Sequence, residues 1–383
     1  MESFDVAVIG AGLAGLELTK ELSLRGLSVL LVDRKTDVSQ HIHTTGIFVR
    51  KTLEDFQIPK HCLGEAVRHV RLYSPARQCL ALSSPHDEFR VGRMGALYQH
   101  RLEESRNLGA VFTGGTHFLG SSKSSFGSVL HLEQNGKAIS VQARFLVGAD
   151  GAVSKVAQDL KLESNKEFIV GVEDVLEGVP LNGEPCFDVY FEPKLAPGYI
   201  AWVVHDGQHV HLGTGGYNHA FDPASALETF RKSVATQFDF SKAKLLERRG
   251  GRIPVGGVLK NIISSRGLLL GDAAGAVSPL TAGGLDPAMR LAHFAASVLE
   301  QYLGGNPNAL SAYNGGVWRS RFASRLWMRR LLTSMTQPQL LELGFAALKL
   351  EPIKSLAWHV FFGRGGSFPD LELPKKSVNH LGA

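Results

Sequence analysis

The sequence predicts an α/β fold: a doubly wound domain around a parallel sheet, an inserted antiparallel β lobe, and a C-terminal helical segment. Three observations predict this fold. The chain begins with a strand, a glycine-rich turn, a helix and a second strand. Segments rich in β-forming residues then interrupt it, and a buried parallel-strand pattern returns in GLLLGDAAG before a mostly helical end. With 383 residues, we expect more than one hydrophobic core.

Composition and charge narrow the class of protein. Hydrophobic residues make up 44% and charged residues 20%, as in soluble globular proteins. The net charge of +5 is small for this length, so we expect no nucleic acid partner. The three cysteines, Cys62, Cys79 and Cys186, form no Cys-x-x-Cys pair, which indicates a reducing compartment. No signal peptide or long apolar run is seen, so we expect a cytoplasmic protein, with membrane contact from outside left open.

The first βαβ unit contains a dinucleotide-binding motif. Gly10, Gly12 and Gly15 form Gly-x-Gly-x-x-Gly between a strand and a helix, and Asp33 ends the second strand. These glycines permit the tight turn, the approach of a pyrophosphate and close helix packing, while Asp33 is placed to accept ribose hydroxyls. The candidate cofactor-binding residues here are Gly10, Ala11, Gly12, Gly15, Asp33 and Arg34. A nicotinamide dehydrogenase would continue with more βα units, so the β-rich insertions favour FAD.

The following elements are read in order along the chain. A hairpin is predicted over 65–90, a helix over 93–107, and a second hairpin at Asn135-Gly136. RFLVGAD reads as a buried strand that ends at Asp150, and FIVGVEDVL, CFDVYF, GYIAWVVH and HVHLGTGG read as strands of the antiparallel lobe, with a helix over 224–238. The predicted FAD domain comprises 1–64, 93–160 and 253–300, the substrate lobe 65–92 and 161–252, and the helical segment 301–383.

Three further segments carry a family resemblance. They are GADGAVSKV from Gly148, GLLLGDAAGAVSPLTAGGLDPAM from Gly267, and Arg93 in VGRMGALYQHRLEE. The chain resembles the FAD-dependent oxidoreductases with the aromatic-hydroxylase fold, and among them it is most similar to the geranylgeranyl reductase family.

The resemblance implies roles for these residues. Asp150 and Gly151 would lie near the FAD pyrophosphate and the approach of the nicotinamide, and Asp272 would hold the ribityl chain. A helix start at Gly284 and Leu285 would face the flavin's pyrimidine edge, where its dipole would stabilise the negative charge of the reduced flavin. Arg93 would contact the ribityl or phosphate region of FAD. The alternative is that Arg93 is an ordinary arginine at the start of a surface helix.

One segment departs from the family pattern. The family has Gly-x-Gly-Ile after the proline, whereas Ala282 occupies a glycine position here. Asp286 is a weak candidate for a catalytic proton donor. Asp286-Pro287 also suits the cap and first turn of a helix, and that structural interpretation is the favoured one.

Tyr199 and Trp202 in APGYIAWVVHDG are the candidate substrate residues. They resemble part of the reductase motif, with Val204 and His205 in its last two positions. A period of two predicts Tyr199 and Trp202 on opposite faces of a strand, where Trp202 could equally be ordinary sheet core. The Trp-x-Trp-x-Ile-Pro element of flavin-dependent halogenases is absent from this segment.

Other polar residues give weaker signals. Thr44-Thr45-Gly46 stands where many of these reductases carry Cys-Gly-Gly. The pairs His41/His43 and His209/His211 would each face one side of a strand, but further ligands are not found and no metal is predicted. The basic stretch 318–332 has the pattern of a helix that rests on an anionic membrane, or of a packed helix with a solvated basic face.

The function predicted from the sequence is an FAD-dependent oxidoreductase. We expect NADPH or NADH to reduce the flavin, which then reduces a carbon–carbon double bond in a small apolar, prenyl-like substrate. An FAD-dependent monooxygenase acting on an aromatic or alkene substrate is the alternative, and a non-catalytic FAD-binding protein is a third reading. The sequence does not predict the oligomeric state.

Overall fold

The computed structural model describes residues 1–217, 222–334, 337–351, 353–363, 368 and 371. The part of the predicted C-terminal helical segment that follows residue 371 lies outside the described residues. The described chain has the predicted α/β fold, with a parallel sheet, a large, mostly antiparallel sheet and helices near the C-terminus. No described helix is both long enough and apolar enough to cross a bilayer.

The strands are β1 Ser3–Ile9, β2 Val29–Val32, β3 Ile47–Val49, β4 Leu63–Val67, β5 His69–Tyr73, β6 Cys79–Ser83, β7 Phe89–Gly92, β8 Val111–Thr113, β9 Thr116–Lys123, β10 Ser128–Gln134, β11 Lys137–Gly148, β12 Phe168–Glu177, β13 Cys186–Tyr190, β14 Ala201–His205, β15 His209–Gly216, β16 Lys244–Pro254, β17 Ile263–Ser264 and β18 Gly267–Leu269. The α-helices are α1 Leu13–Leu24, α2 Arg50–Asp55, α3 Met94–Asn107, α4 Lys155–Asp159, α5 Pro223–Ser233, α6 Leu285–Leu303, α7 Gly315–Arg321, α8 Ala323–Ser334, α9 Pro338–Leu348 and α10 Ile353–Phe362. Short 3-10 helices span Lys60–Cys62, Gly271–Ala274 and Pro307–Ala312.

The parallel sheet has the strand order β17-β18-β11-β1-β2-β8. Four strand pairs in this sheet are parallel: β18/β11, β11/β1, β1/β2 and β2/β8. Helices or long connecting segments join these strands, as parallel pairing requires. The apolar runs of β2, β18 and the end of β11 are fully buried, as expected for strands covered on both faces. The carboxyl ends of β1, β2, β11 and β18 therefore meet at one edge of the sheet.

The predicted hairpin at Asn135-Gly136 is confirmed. It joins β10 to β11, with Gln134 paired to Lys137. Asn135 and Gly136 both have positive φ, 52° and 73°, which a two-residue turn matching the strand twist requires. The first half of β11 pairs with β10 and its second half with β18, so one long strand joins the hairpin to the parallel sheet.

Helices α1, α3 and α6 pack together beside the parallel sheet. A buried charge cluster links them: Glu17 of α1 lies 3.0 Å from the Arg101 guanidinium of α3 and 2.9 Å from His293 Nε2 of α6. Burial alone would raise the pKa of Glu17, but the His293 hydrogen bond and the Arg101 charge lower it to about 2. The carboxylate is therefore ionised and holds the three helices in register.

The large sheet has the order β16-β12-β15-β14-β13-β5-β6 and takes its strands from 69–83 and 168–254. Its pairs are antiparallel except β13/β5. Helix α5 packs on one face around Phe230, while Phe345 of α9 and Phe362 of α10 join the apolar cluster on the other. A small sheet, β3-β7-β4, completes the described strands. The domain boundaries given above stay a prediction.

Two predicted elements differ in the structure. Helix α5 ends at Ser233 rather than near Phe238, because the chain turns at Val234 and Phe238 folds back toward Phe240. The strand predicted over GYIAWVVH begins only at Ala201. Gly198, with φ of 71°, turns the chain just before it, so the alternation of the strand does not reach Tyr199.

Candidate active site

A cavity of about 1340 Å³ lies beyond the carboxyl ends of the parallel strands and extends to the large sheet and the C-terminal helices. Ligand pockets in proteins usually measure about 300–1,000 Å³, so this cavity has room for more than one small ligand. The predicted residues that line it are Gly12, Gly151, Asp272, Gly284, Leu285, Asp286, Tyr199 and Trp202. The predicted cofactor residues that follow β1, β11 and β18 meet here because these parallel strands end at the same edge, whereas Tyr199 and Trp202 come from the region of β14 in the large sheet.

The three glycines after β1 have different surroundings. A Cβ on Gly15 would lie 1.9 Å from the carbonyl oxygen of Gly10, and a Cβ on Gly10 would lie 2.2 Å from that of Ala149. A Cβ on Gly12 would meet nothing within 4 Å and would project into open space. Gly10 and Gly15 are therefore required by the protein's own packing, whereas Gly12 keeps free a space that a ligand can use.

Two helices begin at the cavity with glycine at the N-cap. Gly12 precedes α1 and Gly284 precedes α6, and neither has a side chain to accept hydrogen bonds from the first amides of its helix. Helices α4 and α5, by contrast, are capped by the side chains of Ser154 and Asp222. The helix dipoles and the uncapped amides of α1 and α6 make this region suitable for an anionic or electron-rich ligand.

Asp272 is the charged side chain between these two helix starts. Burial raises its pKa to about 6. Within the described residues, no hydrogen bond to its carboxylate is seen, and its Oδ1 would lie 3.4 Å from a Cβ on Gly284. The side chain is half-buried, and a carboxylate shielded from water without a partner is costly, so Asp272 is suited to bind hydroxyl groups of a ligand.

Asp33 and Asp150 support the cavity from behind. The two oxygens of Asp33 accept hydrogen bonds from the amides of Ala11, at 2.6 Å, and Lys35, at 2.8 Å. Asp150 accepts from the hydroxyl of Ser154, at 2.6 Å, and from two amides at the start of α4. Burial raises the pKa of Asp150. Asp33 thus fixes the backbone next to Gly12, and Asp150 fixes the backbone next to Gly151. Gly12 and Gly151 in turn line the cavity.

The structure does not bring Arg34 or Arg93 to the cavity. Arg34 is exposed. The Arg93 guanidinium donates to the carbonyl oxygen of His61 and to Gln208 Oε1, at 3.3 and 3.2 Å.

Asp286 lines the cavity, but its carboxylate is held by Arg290 of its own helix and by Thr52 of α2. Oδ1 accepts hydrogen bonds from Arg290, at 2.9 Å, and from the Thr52 hydroxyl, at 2.8 Å. The helix cap is Gly284 rather than Asp286, which is the second residue of α6. The predicted Asp-Pro cap is therefore wrong by two positions, because the helix starts before Asp286. The ion pair favours a structural function for this carboxylate.

The loop before α6 contains strained backbone. Ala282, which occupies a glycine position of the family pattern, has φ of 53°, in the left-handed region that favours glycine. The loop is closed by hydrogen bonds from the Ala282 amide to the carbonyl oxygen of Ser278 and from the Ser278 amide to that of Gly283. Ala282 therefore keeps the backbone conformation of the glycine that it replaces in the family pattern, and its strained backbone lies beside the cavity.

Trp202 reaches across a neighbouring strand. It pairs with Gly213 of β15, and Gly213 pairs in turn with Glu173 of β12. A Cβ on Gly213 would lie 2.2 Å from the Trp202 ring, so the absent side chain is what lets the indole lie flat there. The Trp202 Nε1–H consequently donates to Glu173 Oε2 at 3.1 Å. Trp202 is thus part of the cavity wall, positioned by a carboxylate two strands away.

Glu173 is a cavity residue that the sequence analysis missed. Its carboxylate also accepts from the Thr45 hydroxyl, lies 3.2 Å from His211 Nδ1, and is 3.6 Å from the Arg249 guanidinium. Burial alone would raise the pKa of Glu173, but the His211 hydrogen bond and charge lower it. No local motif marks this residue, since its partners come from distant parts of the sequence.

Tyr199 lies on the same side as Trp202 rather than opposite to it. The two rings meet edge to face with centroids 6.5 Å apart, and the Tyr199 hydroxyl donates to the carbonyl oxygen of Thr281. The predicted opposition is therefore wrong, because Tyr199 precedes the strand. Burial raises the pKa of its hydroxyl, which stays protonated at neutral pH.

Residues 42–44 are tied to the edge strand β16. The Ile42 amide donates to Glu247, His43 Nδ1 lies 2.8 Å from the Gly250 carbonyl oxygen, and Arg249 donates to the Thr44 carbonyl oxygen. These contacts join the turn region after β2 to the large sheet. The cavity wall is consequently continuous between the two sheets.

The arrangement fits FAD. The open space at Gly12 and the uncapped start of α1 suit a pyrophosphate. The uncapped start of α6 suits a ring edge that gains negative charge. The carboxylate of Asp272, which has no hydrogen-bond partner among the described residues, suits a chain of hydroxyl groups. Gly12, Gly151, Asp272 and the amides at Gly284 and Leu285 are the residues that would hold it.

Comparisons with known proteins agree with this geometry. The family model described as FAD binding domain matches residues 3–328. Digeranylgeranylglycerophospholipid reductase 2 of Methanosphaera stadtmanae is 25% identical over 309 residues, 78% of each chain. The fold matches a geranylgeranyl bacteriochlorophyll reductase-like protein of Thermoplasma acidophilum, with a TM-score of 0.83, 19% identity and coverage of 97% of this chain and 98% of that one.

The same fold also occurs in a monooxygenase. The p-nitrophenol 4-monooxygenase of Pseudomonas putida matches with a TM-score of 0.68, 16% identity and coverage of 97% and 96%. Together with the cofactor site, the family match and the reductase relatives identify an FAD-dependent oxidoreductase, with the resemblance to geranylgeranyl reductases seen in the motifs. The protein is a member of the FAD binding domain family.

Proposed function

We propose that the protein reduces a carbon–carbon double bond in a prenyl-like substrate, using FAD that NADPH or NADH has reduced. Bound FAD supplies the hydride for such a reaction. The observation that carries the proposal is the apolar arm of the cavity, beyond the strand ends. It is lined by Leu72, Phe89, Phe187, Val189, Phe191 and Ile200 from the β-rich region, and by Met328, Leu331, Leu332, Leu348, Val360 and Phe361 near the C-terminus.

This arm suits a long hydrocarbon. The side chains named above are aliphatic or aromatic, so a prenyl chain placed against them would leave water at a gain of about 0.8 kcal/mol for each buried methylene. The relatives named digeranylgeranylglycerophospholipid reductases support a substrate of this class.

The test uses the purified flavoprotein without oxygen. NADPH and NADH are each mixed with the protein to see which bleaches the flavin, and a geranylgeranyl lipid is then added. We expect the flavin to be reoxidised and mass spectrometry to show the gain of two hydrogens per reduced bond. A product that gains an oxygen atom when oxygen and a phenol are supplied, with no alkene reduction, would instead establish the monooxygenase.

The apolar arm has its own test. Ile200→Trp fills part of the arm, so we expect a higher KM for a geranylgeranyl substrate and little change for a short geranyl substrate. The short substrate is the internal control, because it needs only the part of the cavity near the flavin. Equal losses for both substrates would contradict the placement of the prenyl chain.

We also propose that the face of α8 and α9 rests on a membrane. The exposed fraction is 64% for Trp327, 44% for Leu331 and 72% for Leu343, and α8 is at the same time a wall of the apolar arm. Within the basic stretch 318–332, Arg329 is buried and donates to the Pro279 carbonyl oxygen. Arg330 is exposed and is free to meet anionic lipid.

Vesicle flotation tests the membrane contact. We expect binding to vesicles that contain anionic lipid, and a loss of binding in Trp327→Glu. Leu119→Glu is the control, because Leu119 is also exposed, at 46%, but lies on β9, in the sheet that contains β1. Equal binding by both variants would reject this surface.

A further inference from the structure

We propose that Glu173, His211 and Asp206 supply the proton that completes reduction of the substrate double bond, with Glu173 as the donor and His211 as its reservoir. This inference rests on the function proposed above. Saturating an alkene adds a hydride to one carbon and a proton to the other. The flavin accounts for the hydride, so the proton needs a separate source.

Two other candidate proton donors that line the cavity are already held in hydrogen bonds. A prenyl chain in the apolar arm would displace water, and the Tyr199 hydroxyl is already committed to the carbonyl oxygen of Thr281. Asp286 is held by Arg290 and Thr52. Glu173 lines the cavity and accepts hydrogen bonds from Trp202 and Thr45 at one oxygen, but its other oxygen faces an imidazole that can pass a proton to it.

The connection runs from the cavity toward the surface. Glu173 Oε1 lies 3.2 Å from His211 Nδ1, and His211 Nε2 lies 3.5 Å from Asp206 Oδ2. The same Asp206 oxygen is 3.8 Å from His209 Nδ1. The side chains of Glu173 and His211 are each 4% exposed and that of Asp206 is 2% exposed, whereas that of His209 is 20% exposed. The series therefore leads from a buried carboxylate to a histidine that solvent reaches.

Strand geometry explains how the groups meet. Glu173 and His211 are diagonal neighbours on the paired strands β12 and β15, and His209 lies two positions before His211 on the same face. Asp206, in the turn before β15, accepts hydrogen bonds from the amides of Gln208 and His209 and is fixed between the two imidazoles. The predicted common orientation of His209 and His211 is thus confirmed, and the carboxylate of Asp206 lies between the two imidazoles.

The charges place the resting proton on His211. Burial alone would lower the pKa of His211, but its hydrogen bonds to Asp206 and Glu173 raise it to about 9. Among the described residues, the other charged and titratable groups near this cluster are Arg249 of β16, His205 of β14 and, beside His205, Glu65 of β4. At neutral pH the imidazole is charged, and both carboxylates are ionised.

The proton transfer balances without another reactant. As the hydride adds to one alkene carbon, the electron pair of the former π bond passes to the neighbouring carbon. The His211 Nδ1–H bond breaks and its proton moves to the ionised Glu173 carboxylate. The new O–H bond of Glu173 then breaks as the electron pair forms the C–H bond with that proton, which leaves Glu173 ionised again. Solvent then reprotonates His211 through Asp206 and His209.

The experiment compares Glu173→Gln with the matched control Asp174→Asn. Asp174 is the next residue of β12, equally buried, and its carboxylate pairs with Arg248 instead of facing this cluster. Both variants are assayed without oxygen for flavin content, flavin bleaching by the nicotinamide, and flavin reoxidation by the prenyl alkene. In Glu173→Gln we expect only reoxidation to slow, by about 100-fold or more, the usual contribution of a general acid. In Asp174→Asn we expect all three to match the wild type.

A nitrogen NMR titration of the His211 imidazole provides a readout apart from activity. We expect a doubly protonated ring at pH 7 in the wild type and a lower pKa in Glu173→Gln. His211→Gln, which cannot carry the proton, is expected to slow reoxidation while keeping flavin content. Unchanged reoxidation in Glu173→Gln, or a neutral His211 at pH 7 in the wild type, would overturn the inference. A wild type that reduces no alkene at all would overturn the proposed function itself.

Discussion

Replacing Asp272 with asparagine is expected to stabilise the flavin-free protein at neutral pH while weakening flavin binding. Burial raises the pKa of this carboxyl from its ordinary 3.8 to about 6. Since one pKa unit corresponds to about 1.4 kcal/mol, holding the ionised form costs the folded protein about 3 kcal/mol. Asparagine has nearly the same shape and no charge, so it removes up to about 3 kcal/mol of that cost.

The size of the effect depends on pH. Below pH 3.8 the carboxyl is protonated in the folded and the unfolded chain, and the substitution should change little. Between 3.8 and about 6 the folded chain binds more protons than the unfolded chain, so wild-type stability falls as the pH rises. Above about 6 the full difference between Asp272→Asn and the wild type is expected.

Urea unfolding of the two flavin-free proteins at several pH values measures this difference, and flavin fluorescence measures FAD affinity. Glu17→Gln is the control of opposite sign: the pKa of this buried carboxyl is lowered to about 2, so its removal should cost about 3 kcal/mol at pH 7. An Asp272→Asn protein that is no more stable than the wild type at pH 7.5, or whose stability gain is independent of pH, would refute the reasoning.

Four further substitutions test the site. Ala282→Gly should raise the free energy of unfolding by about 1–2 kcal/mol, because glycine accepts positive φ without strain; no gain in urea unfolding would contradict this. Gly12→Ala should fold normally but bind FAD poorly. Gly15→Ala should lower Tm sharply, because its Cβ would overlap a carbonyl oxygen. Similar flavin content and similar Tm in the two variants would count against the assignment of Gly12. Asp286→Asn should lower the free energy of unfolding by about 1–3 kcal/mol, since it weakens a buried ion pair, and should leave the pH profile of alkene reduction unchanged; a shifted profile would restore Asp286 as a proton donor.

Much of the fold can be predicted because its signals are local. The glycine-rich turn, the Asn135-Gly136 hairpin and the buried strands before Asp150 and Asp272 each lie within a dozen residues and determine their own conformation. Strand β16 was missed, since KLLERRGGRIP mixes charges with paired glycines. It is an edge strand with a largely exposed or half-buried surface, so it lacks the apolar alternation of a core strand.

The cofactor side of the site was likewise more predictable than the substrate side. Residues that follow parallel strands converge by topology, and their positions can be read from the sequence. From the sequence alone, Glu173 can be recognised only as an acidic residue within a strand. Its partner Thr45 is 128 positions away, and its contact with Trp202 depends on the missing side chain of Gly213. Such long-range contacts leave no pattern in a single sequence.

The attachment of residues 42–44 to β16 has a consequence for solubility. An edge strand exposes unpaired backbone groups that can recruit a strand from another molecule, and proteins commonly protect such edges with a covering loop or with charge. The loop protects the part of β16 around Arg249 and Gly250. Toward its start, Leu245 and Leu246 are 52% and 50% exposed, and the exposed Lys244 beside them places a positive charge that disfavours intermolecular pairing. Self-association of this protein, when its surface charges are neutralised, should therefore begin at 244–247.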